Sequence, residues 1–216
     1  QQYSIFMSEC PYIDGVLIDK RLPRWNLFFL YNLKKLLSKY NFSKVFDLQN
    51  SSRTKFYRNF ILKNVEWSSS ETTLNPGEKK KDFDTHPVLD RMEKQLEKSQ
   101  IPRKYIKNVD LSWANEDLSR LTQQYTNRDY ILIFPFSSEK HKNKRWPFFK
   151  DLIARIRRDY KNNYSILVAP GPNEFDEAKT LNVKVIMDNE EAVNIKTLIS
   201  LINGAKFIVA NDTGPA

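Results

Sequence analysis

The chain has 216 residues, 40% of them hydrophobic and 13% aromatic, enough for one large packed domain or two small ones, which excludes a disordered protein. No apolar run approaches the roughly 18 residues that span a bilayer, and residues 1–10 lack a basic stretch followed by an apolar one, so neither a membrane helix nor a signal peptide is read. The single cysteine, Cys10, excludes an internal disulfide and fits a reducing compartment, with the cytoplasm as the expected location.

A net charge of +9 points to an anionic partner, and the charge is uneven. Residues 140–161 hold nine basic side chains to two acidic ones, a local concentration that suits a phosphate-sized site more than a long nucleic-acid track. A lysine- and asparagine-rich composition gives the same charge with no partner at all.

In chain order, Trp25 to Tyr40 places Phe29, Leu33, Leu36, Leu37 and Tyr40 on one stripe and reads as an amphipathic helix. Lys44 to Leu48 is a short strand, Ser51 to Leu62 a Ser-initiated helix, and Val65 to Trp67 an extended piece. Thr72 to Thr85, with Pro76, Gly77 and three consecutive lysines, is expected to be a mobile polar loop. His86 to Ser99 spaces Val88, Leu89, Met92 and Leu96 as a helix. A short extended piece near Val109 to Trp113 leads to a helix over Asn115 to Tyr125, and the break at 126–129 sets the expected boundary between domains 1–128 and 129–216.

After that break the pattern sharpens. Apolar strands are expected at Tyr130 to Phe134, Ser165 to Ala169, Val183 to Met187 and Phe207 to Ala210. Helices at Pro147 to Tyr160, Asn173 to Leu181 and Ile195 to Asn203 separate them. Short, nearly continuous apolar strands between amphipathic helices mean a parallel sheet covered on both faces, an α/β doubly wound fold. In such sheets ligands sit at the carboxyl ends of the strands, so the loops after Phe134, Ala169 and Ala210 should share one rim.

These loops carry the polar chemistry. With five glycines, the chain has neither the dinucleotide fingerprint nor the Walker loop. Ser137 and Ser138, followed by Lys144-Arg145-Trp146-Pro147 at a helix start, suit a diphosphate; an ordinary solvated basic loop is the plainer alternative. Gly171-Pro172-Asn173-Glu174 brings a carboxylate to the rim, where it could accept both ribose hydroxyls or simply complement the helix dipole. Asn211-Asp212-Thr213-Gly214-Pro215 leaves the last strand with cap-forming residues and opens a helix expected beyond Ala216. His86, His141 and Cys10 form no cluster with metal-ligand spacing, so no metal is expected.

Taken together, residues 135–147 (PFSSEKHKNKRWP), 171–174 (GPNE) and 211–215 (NDTGP) resemble the donor-binding half of glycosyltransferase family 9, the heptosyltransferase-like enzymes of lipopolysaccharide-core biosynthesis. Pro11-Tyr12-Ile13-Asp14, and Phe46-Asp47-Leu48-Gln49 with Arg53, extend the likeness over most of the chain, residues 72–101 matching poorly. The resemblance implies two Rossmann-like domains in the GT-B arrangement, both incomplete, since the chain reads as a fragment lacking both ends. It implies inverting transfer of a sugar, heptose from ADP-heptose, to a lipid-linked lipopolysaccharide-core acceptor, without metal or cofactor.

The resemblance also implies roles. Lys144 stabilises the leaving diphosphate, Ser137 or Ser138 donates to a phosphate, Glu174 holds the ribose, Asp212, Thr213 and Gly214 form the sugar and diphosphate loop, and Arg53 serves the acceptor side. Among Lys140, Lys142 and Lys144 the choice stays open, with Lys144 favoured because it abuts Trp146-Pro147. The family's catalytic aspartate sits in a Gly-Asp turn that has no counterpart here, so this fragment alone is expected to be inactive. Peripheral contact with the inner membrane is expected from the basic amphipathic stretch 25–40. The rival readings are a basic nucleic-acid-binding protein, against which no recognised RNA or DNA motif occurs, and a non-catalytic relative of the family.

Overall fold

The computed structural model of the chain describes residues 3–104, 106, 109–161 and 163–212. Two compact units emerge, one from Gln1–Ile5 with Gly15–Asp110, the other from Phe6–Asp14 with Leu111–Ala216.

Near the start of the chain lies the short α1 (Ser4–Ser8). In the first unit α2 (Leu27–Leu37) begins where Asn26 Oδ1 accepts the Phe29 N–H at 2.9 Å, and it buries Leu30 and Leu33. That cap leaves Trp25 outside the helix, and after Ser38 the N–H groups of Lys39 and Tyr40 turn back to Leu36 and Leu37, so the expected span of 25–40 is trimmed at both ends. β1 (Lys44–Phe46) stops short of Leu48 because Asp47 Oδ1 accepts the N–H groups of Gln49 and Asn50 and turns the chain. α3 (Ser52–Phe56) starts from a Ser51/Thr54 capping box and continues as a π-helical stretch, Tyr57–Ile61. β2 (Glu66–Ser68) pairs with β1 in parallel, Lys44 opposite Glu66.

The polar loop expected over 72–85 is corrected. Ser69 and Thr72 form a second capping box that starts α4 (Ser70–Thr73), and α5 (Lys80–Phe83) buries Phe83 beneath the Lys94 ammonium. In α6 (Val88–Lys98) the expected apolar stripe is also corrected, since Val88 and Leu89 are exposed while Gln95 is 2% exposed. The reason is polar: Gln95 Nε2 donates to the carbonyls of Asp47 and Ser68, which close the two strands of the small sheet.

The second unit opens with a 3-10 turn at Ser112–Ala114, where an extended piece was expected. α7 (Ser119–Tyr125) starts four residues later than expected because 115–117 are occupied elsewhere. Asn115 Oδ1 accepts from Asn203, the Glu116 N–H donates to Ser200 Oγ, and Asp117 Oδ1 accepts from the Ser119 N–H.

The elements β3 (Tyr130–Phe134), α8 (Phe149–Tyr160), β4 (Ser165–Val168), α9 (Phe175–Lys179), β5 (Lys184–Val185), α10 (Ile195–Gly204) and β6 (Phe207–Ala210) follow. The expected β5 over 183–187 shrinks to two paired residues at the sheet edge, and the helix expected from Pro147 begins at Phe149. The four strands lie in the order β5-β4-β3-β6, each pair parallel.

Alternation along β3 decides which helix covers which face. Ile131 and Ile133 pack with Ile166, Val168 and the α8 residues Phe149, Ile153 and Ile156. Tyr130, Leu132 and Phe134 pack on the other face with Leu201 of α10 and Leu121 and Tyr125 of α7. The α/β expectation with a parallel sheet buried on both faces is therefore met.

One close approach on the second face is testable. Tyr130 Oη donates to Leu201 O at 2.7 Å, and a Cβ added to Gly204 would lie 2.7 Å from that phenol oxygen. Gly204→Ala is expected to lower stability by about 1–3 kcal/mol through overpacking. Chemical denaturation measures it, and an unchanged midpoint would mean that the phenol moves aside freely.

Candidate functional site

From β3 the chain runs outward through β4 to β5, then returns through α10 to place β6 on the opposite side of β3. The connections leaving β3 and β6 therefore part at a topological switch point, the place where open parallel sheets leave a crevice beyond their strand ends. Because β4, β3 and β6 are adjacent and parallel, the segments after all three stand on the same rim, with β4 and β6 about 10 Å apart across β3.

Asn211 fixes the geometry of that rim. It is 6% exposed, and its backbone N–H and both side-chain polar atoms hold the end of β3 and the loop that follows. Its N–H donates to Phe134 O at 3.1 Å, its Nδ2 to Pro135 O at 2.6 Å, and its Oδ1 accepts the Trp146 N–H at 2.9 Å. Both ends of loop 135–146 are thereby fastened to the end of β6. Inside the loop, residues Glu139–Lys144 form a 3-10 turn.

Lys144, at the end of that turn, reaches Asp212 with Nζ 2.6 Å from Oδ2. The hydrogen bond from Lys144 holds the Asp212 carboxyl below the usual carboxylate range. Lys140 and Lys142 are exposed on the same turn, and of the three loop lysines it is Lys144 that pairs with Asp212.

The two serines differ. Ser137 is 5% exposed and its hydroxyl is used within the loop, donating to His141 O at 2.9 Å and accepting from Arg145 Nε at 3.3 Å. Ser138 is exposed, and its side chain makes no capping bond to the 3-10 turn. Of the pair, Ser138 is the one that faces solvent.

Glu174 is the N-cap residue of α9 and is half-buried. Its Oε2 accepts the Gly171 N–H at 2.8 Å, a fold-back that Gly171 permits, since a Cβ there would come within 3.2 Å of the same oxygen. Among the described residues Oε1 has no hydrogen-bond partner. The carboxylate thus closes the turn that leads into α9 through Oε2, makes no side-chain cap to the helix itself, and leaves Oε1 unused within the described residues.

Lys144, Glu174 and Asp212 stand on one rim, Lys144 and Asp212 in contact, while Thr213 and Gly214 lie outside the described residues. Arg53 belongs to the first unit. Its guanidinium donates to Leu22 O, Arg21 O and Tyr57 Oη at 3.0, 3.2 and 3.1 Å, and Tyr57 Oη donates to Asp19 at 2.7 Å. Burial raises the Tyr57 pKa, opposed by Arg53 and reinforced by Asp19. Arg53 therefore ties segment 19–22 to α3.

Sequence reasoning missed Asn211, Arg145 and Glu177. Arg145 Nη1 donates to both Glu177 oxygens at 2.8 Å, a pairing across 32 residues that no local signal announces. Asn211 did have a signal, a short polar side chain directly after an apolar strand.

Several cations of the basic cluster 140–161 have defined partners. Lys144 is paired with Asp212, Arg145 with Glu177, Arg155 and Arg158 with Asp159, and Arg157 with the Asn182 carbonyl. No group of three or more His, Cys, Asp or Glu among the described residues could hold a metal ion.

Comparison with known proteins adds to this geometry. A family model described as glycosyltransferase family 9 (heptosyltransferase) matches residues 30–216. Among solved structures, the chain is similar to E. coli heptosyltransferase WaaC with ADP-2-deoxy-2-fluoro heptose, at TM-score 0.65 and 15% identity, over 99% of this chain and 71% of that one. It is also similar to E. coli heptosyltransferase WaaC with ADP, at TM-score 0.61 and 16% identity, over 99% and 69%. No curated protein sequence matches. The fold is the α/β fold of GT-B glycosyltransferases.

Proposed function

Because the chain belongs to glycosyltransferase family 9, we propose that it transfers heptose from ADP-heptose to a lipid-linked lipopolysaccharide-core acceptor, with inversion at the anomeric carbon. The observation that supports this reading is the meeting of Lys144 and Asp212, 2.6 Å apart, on a rim that also carries Glu174. An acceptor hydroxyl oxygen attacks the anomeric carbon as the bond to the donor's phosphate oxygen breaks. The hydroxyl proton passes to a general base, and the departing diphosphate gains negative charge. Lys144 neutralises that charge, Ser138 donates to a phosphate oxygen, Glu174 Oε1 accepts from the ribose, and Asp212 faces the sugar and diphosphate.

The assay is release of ADP matched by gain of one heptose on a core oligosaccharide, followed by mass spectrometry with the full protein. Salt-dependent binding to oligonucleotides together with no transfer from any ADP sugar would favour the nucleic-acid reading instead.

On the acceptor side, the proposed role of Arg53 is indirect, through the segment 19–22 that it tethers. The first unit also carries a surface suited to an anionic membrane. Trp25, Leu27 and Phe28 are 75–80% exposed, with Arg24 beside them and Lys34, Lys35 and Lys39 farther along α2 and just after it. No helix among the described residues is long and apolar enough to cross a membrane. Peripheral contact at the inner membrane from the cytoplasmic side is the arrangement proposed. Liposome sedimentation at low salt should carry the protein down with anionic but not neutral vesicles, and Trp25→Ser with Phe28→Ser should leave it in the supernatant. Failure to sediment with anionic vesicles at low salt would remove the membrane contact.

A further inference from the structure

The Arg145 guanidinium joins two parts of the rim that the sequence keeps far apart. Nη1 donates to both oxygens of Glu177 at 2.8 Å, Nη2 to Ser137 O at 3.0 Å, Nε to Ser137 Oγ at 3.3 Å, and the cation lies 5.6 Å from the centre of the Phe136 ring. Its side chain is largely buried. The neighbouring Lys144 extends to the β6 side of the loop, where it meets Asp212, while Arg145 extends to the α9 side. Glu177 lies one helical turn beyond Glu174.

Resting on the nucleotide-sugar reading above, we propose that Arg145 is a positioning residue. It locks loop 135–146 to the start of α9 and so sets the spacing between the ribose contact at Glu174 and the diphosphate contact at Lys144. A planar fork that makes several directed bonds can hold two elements in register, which a lysine ammonium on a flexible stem cannot reproduce at this site. In this role Arg145 acts through the two contacts it spaces and not on the donor itself. Its contribution is that one ligand can satisfy both contacts at once, the advantage of a preorganised site.

The test uses the full protein with ADP and AMP as probes, their affinities measured by calorimetric titration. Arg145→Lys should weaken ADP binding about tenfold and AMP binding less than about twofold, because AMP does not reach from the ribose to the second phosphate. Glu177→Gln, a milder change at an exposed carboxylate, should weaken ADP about threefold. The double variant should be no weaker than Arg145→Lys alone, since both changes break the same contact. Unchanged ADP affinity, a parallel loss for ADP and AMP, or strictly additive losses would overturn the positioning role. If Arg145→Lys melts early, Glu177→Gln carries the same comparison on an intact fold. A wild-type protein that binds neither nucleotide would overturn the nucleotide reading and this proposal with it. Wild-type ADP binding with unaltered variants would overturn the positioning role alone.

Discussion

Lys144→Ala is expected to lower the turnover of sugar transfer by about 10²–10³-fold, the usual loss when one preorganised group facing developing negative charge is removed. The ground state already carries charge on the donor phosphates, but the bond to the anomeric carbon breaks only at the transition state. The extra negative charge on the leaving oxygen appears there. A cation held 2.6 Å from Asp212 is already placed near the switch point of the sheet before donor arrives. The loss should therefore fall more on kcat than on KM. Lys144→Arg should restore part of the rate, since charge returns on a bulkier head group. Steady-state kinetics on both variants measures this, and a Lys144→Ala enzyme with wild-type kcat would assign the leaving-group role to another residue.

Asn211→Ala should be the most destabilising of the rim substitutions. It strands the Trp146 N–H and the Pro135 carbonyl at a site where Asn211 itself is almost fully buried. Leaving buried polar groups unpaired costs about 1–3 kcal/mol each, so a loss of about 3 kcal/mol is expected. In a protein of this size that corresponds to a melting temperature lower by about 6–12 °C. Asn211→Asp distinguishes the two bonds. It keeps an acceptor for Trp146 but turns a second acceptor toward Pro135 O, so it should not recover the stability. Thermal melts of the two variants decide the matter, and a change below about 2 °C for Asn211→Ala would mean that the loop is held by other contacts.

Much of the second unit was legible from pattern alone. Tyr130–Phe134 and Phe207–Ala210 are strands at the expected bounds: the first is an apolar run buried on both faces at the centre of the sheet, and the second pairs with it in parallel along its whole length although Phe207 and Ile208 stay exposed at the sheet edge. Once those strands are parallel, the sharing of one rim by the segments after β3, β4 and β6 follows. The edge strand β5 was overestimated because an edge pairs on one side only, and apolar side chains at 183–187 are satisfied by packing without a full ladder. What was not legible depended on partners distant in sequence. The pairing of Lys144 with Asp212 rather than its neighbours on the 3-10 turn spans 68 residues. The inward turn of Gln95, a polar residue in an apolar stripe, answers two carbonyls at the ends of β1 and β2, on Asp47 and Ser68, 48 and 27 residues away. Within the second unit, Leu121 and Tyr125 of α7 and the preceding Leu118 pack on the sheet face of Tyr130, Leu132 and Phe134, a destination that the sequence did not announce.

The direct test of the nucleotide-sugar rim is the affinity of the full protein for ADP before and after Glu174→Ala. If Glu174 Oε1 accepts from the ribose, removing it should weaken ADP binding by about 1–3 kcal/mol, roughly five- to 150-fold, while loss of the bond to the Gly171 N–H lowers the melting temperature by a few degrees and leaves the protein folded. Unchanged ADP affinity in a folded Glu174→Ala protein would contradict the account, because the carboxylate would then serve only the Gly171 turn that it already caps.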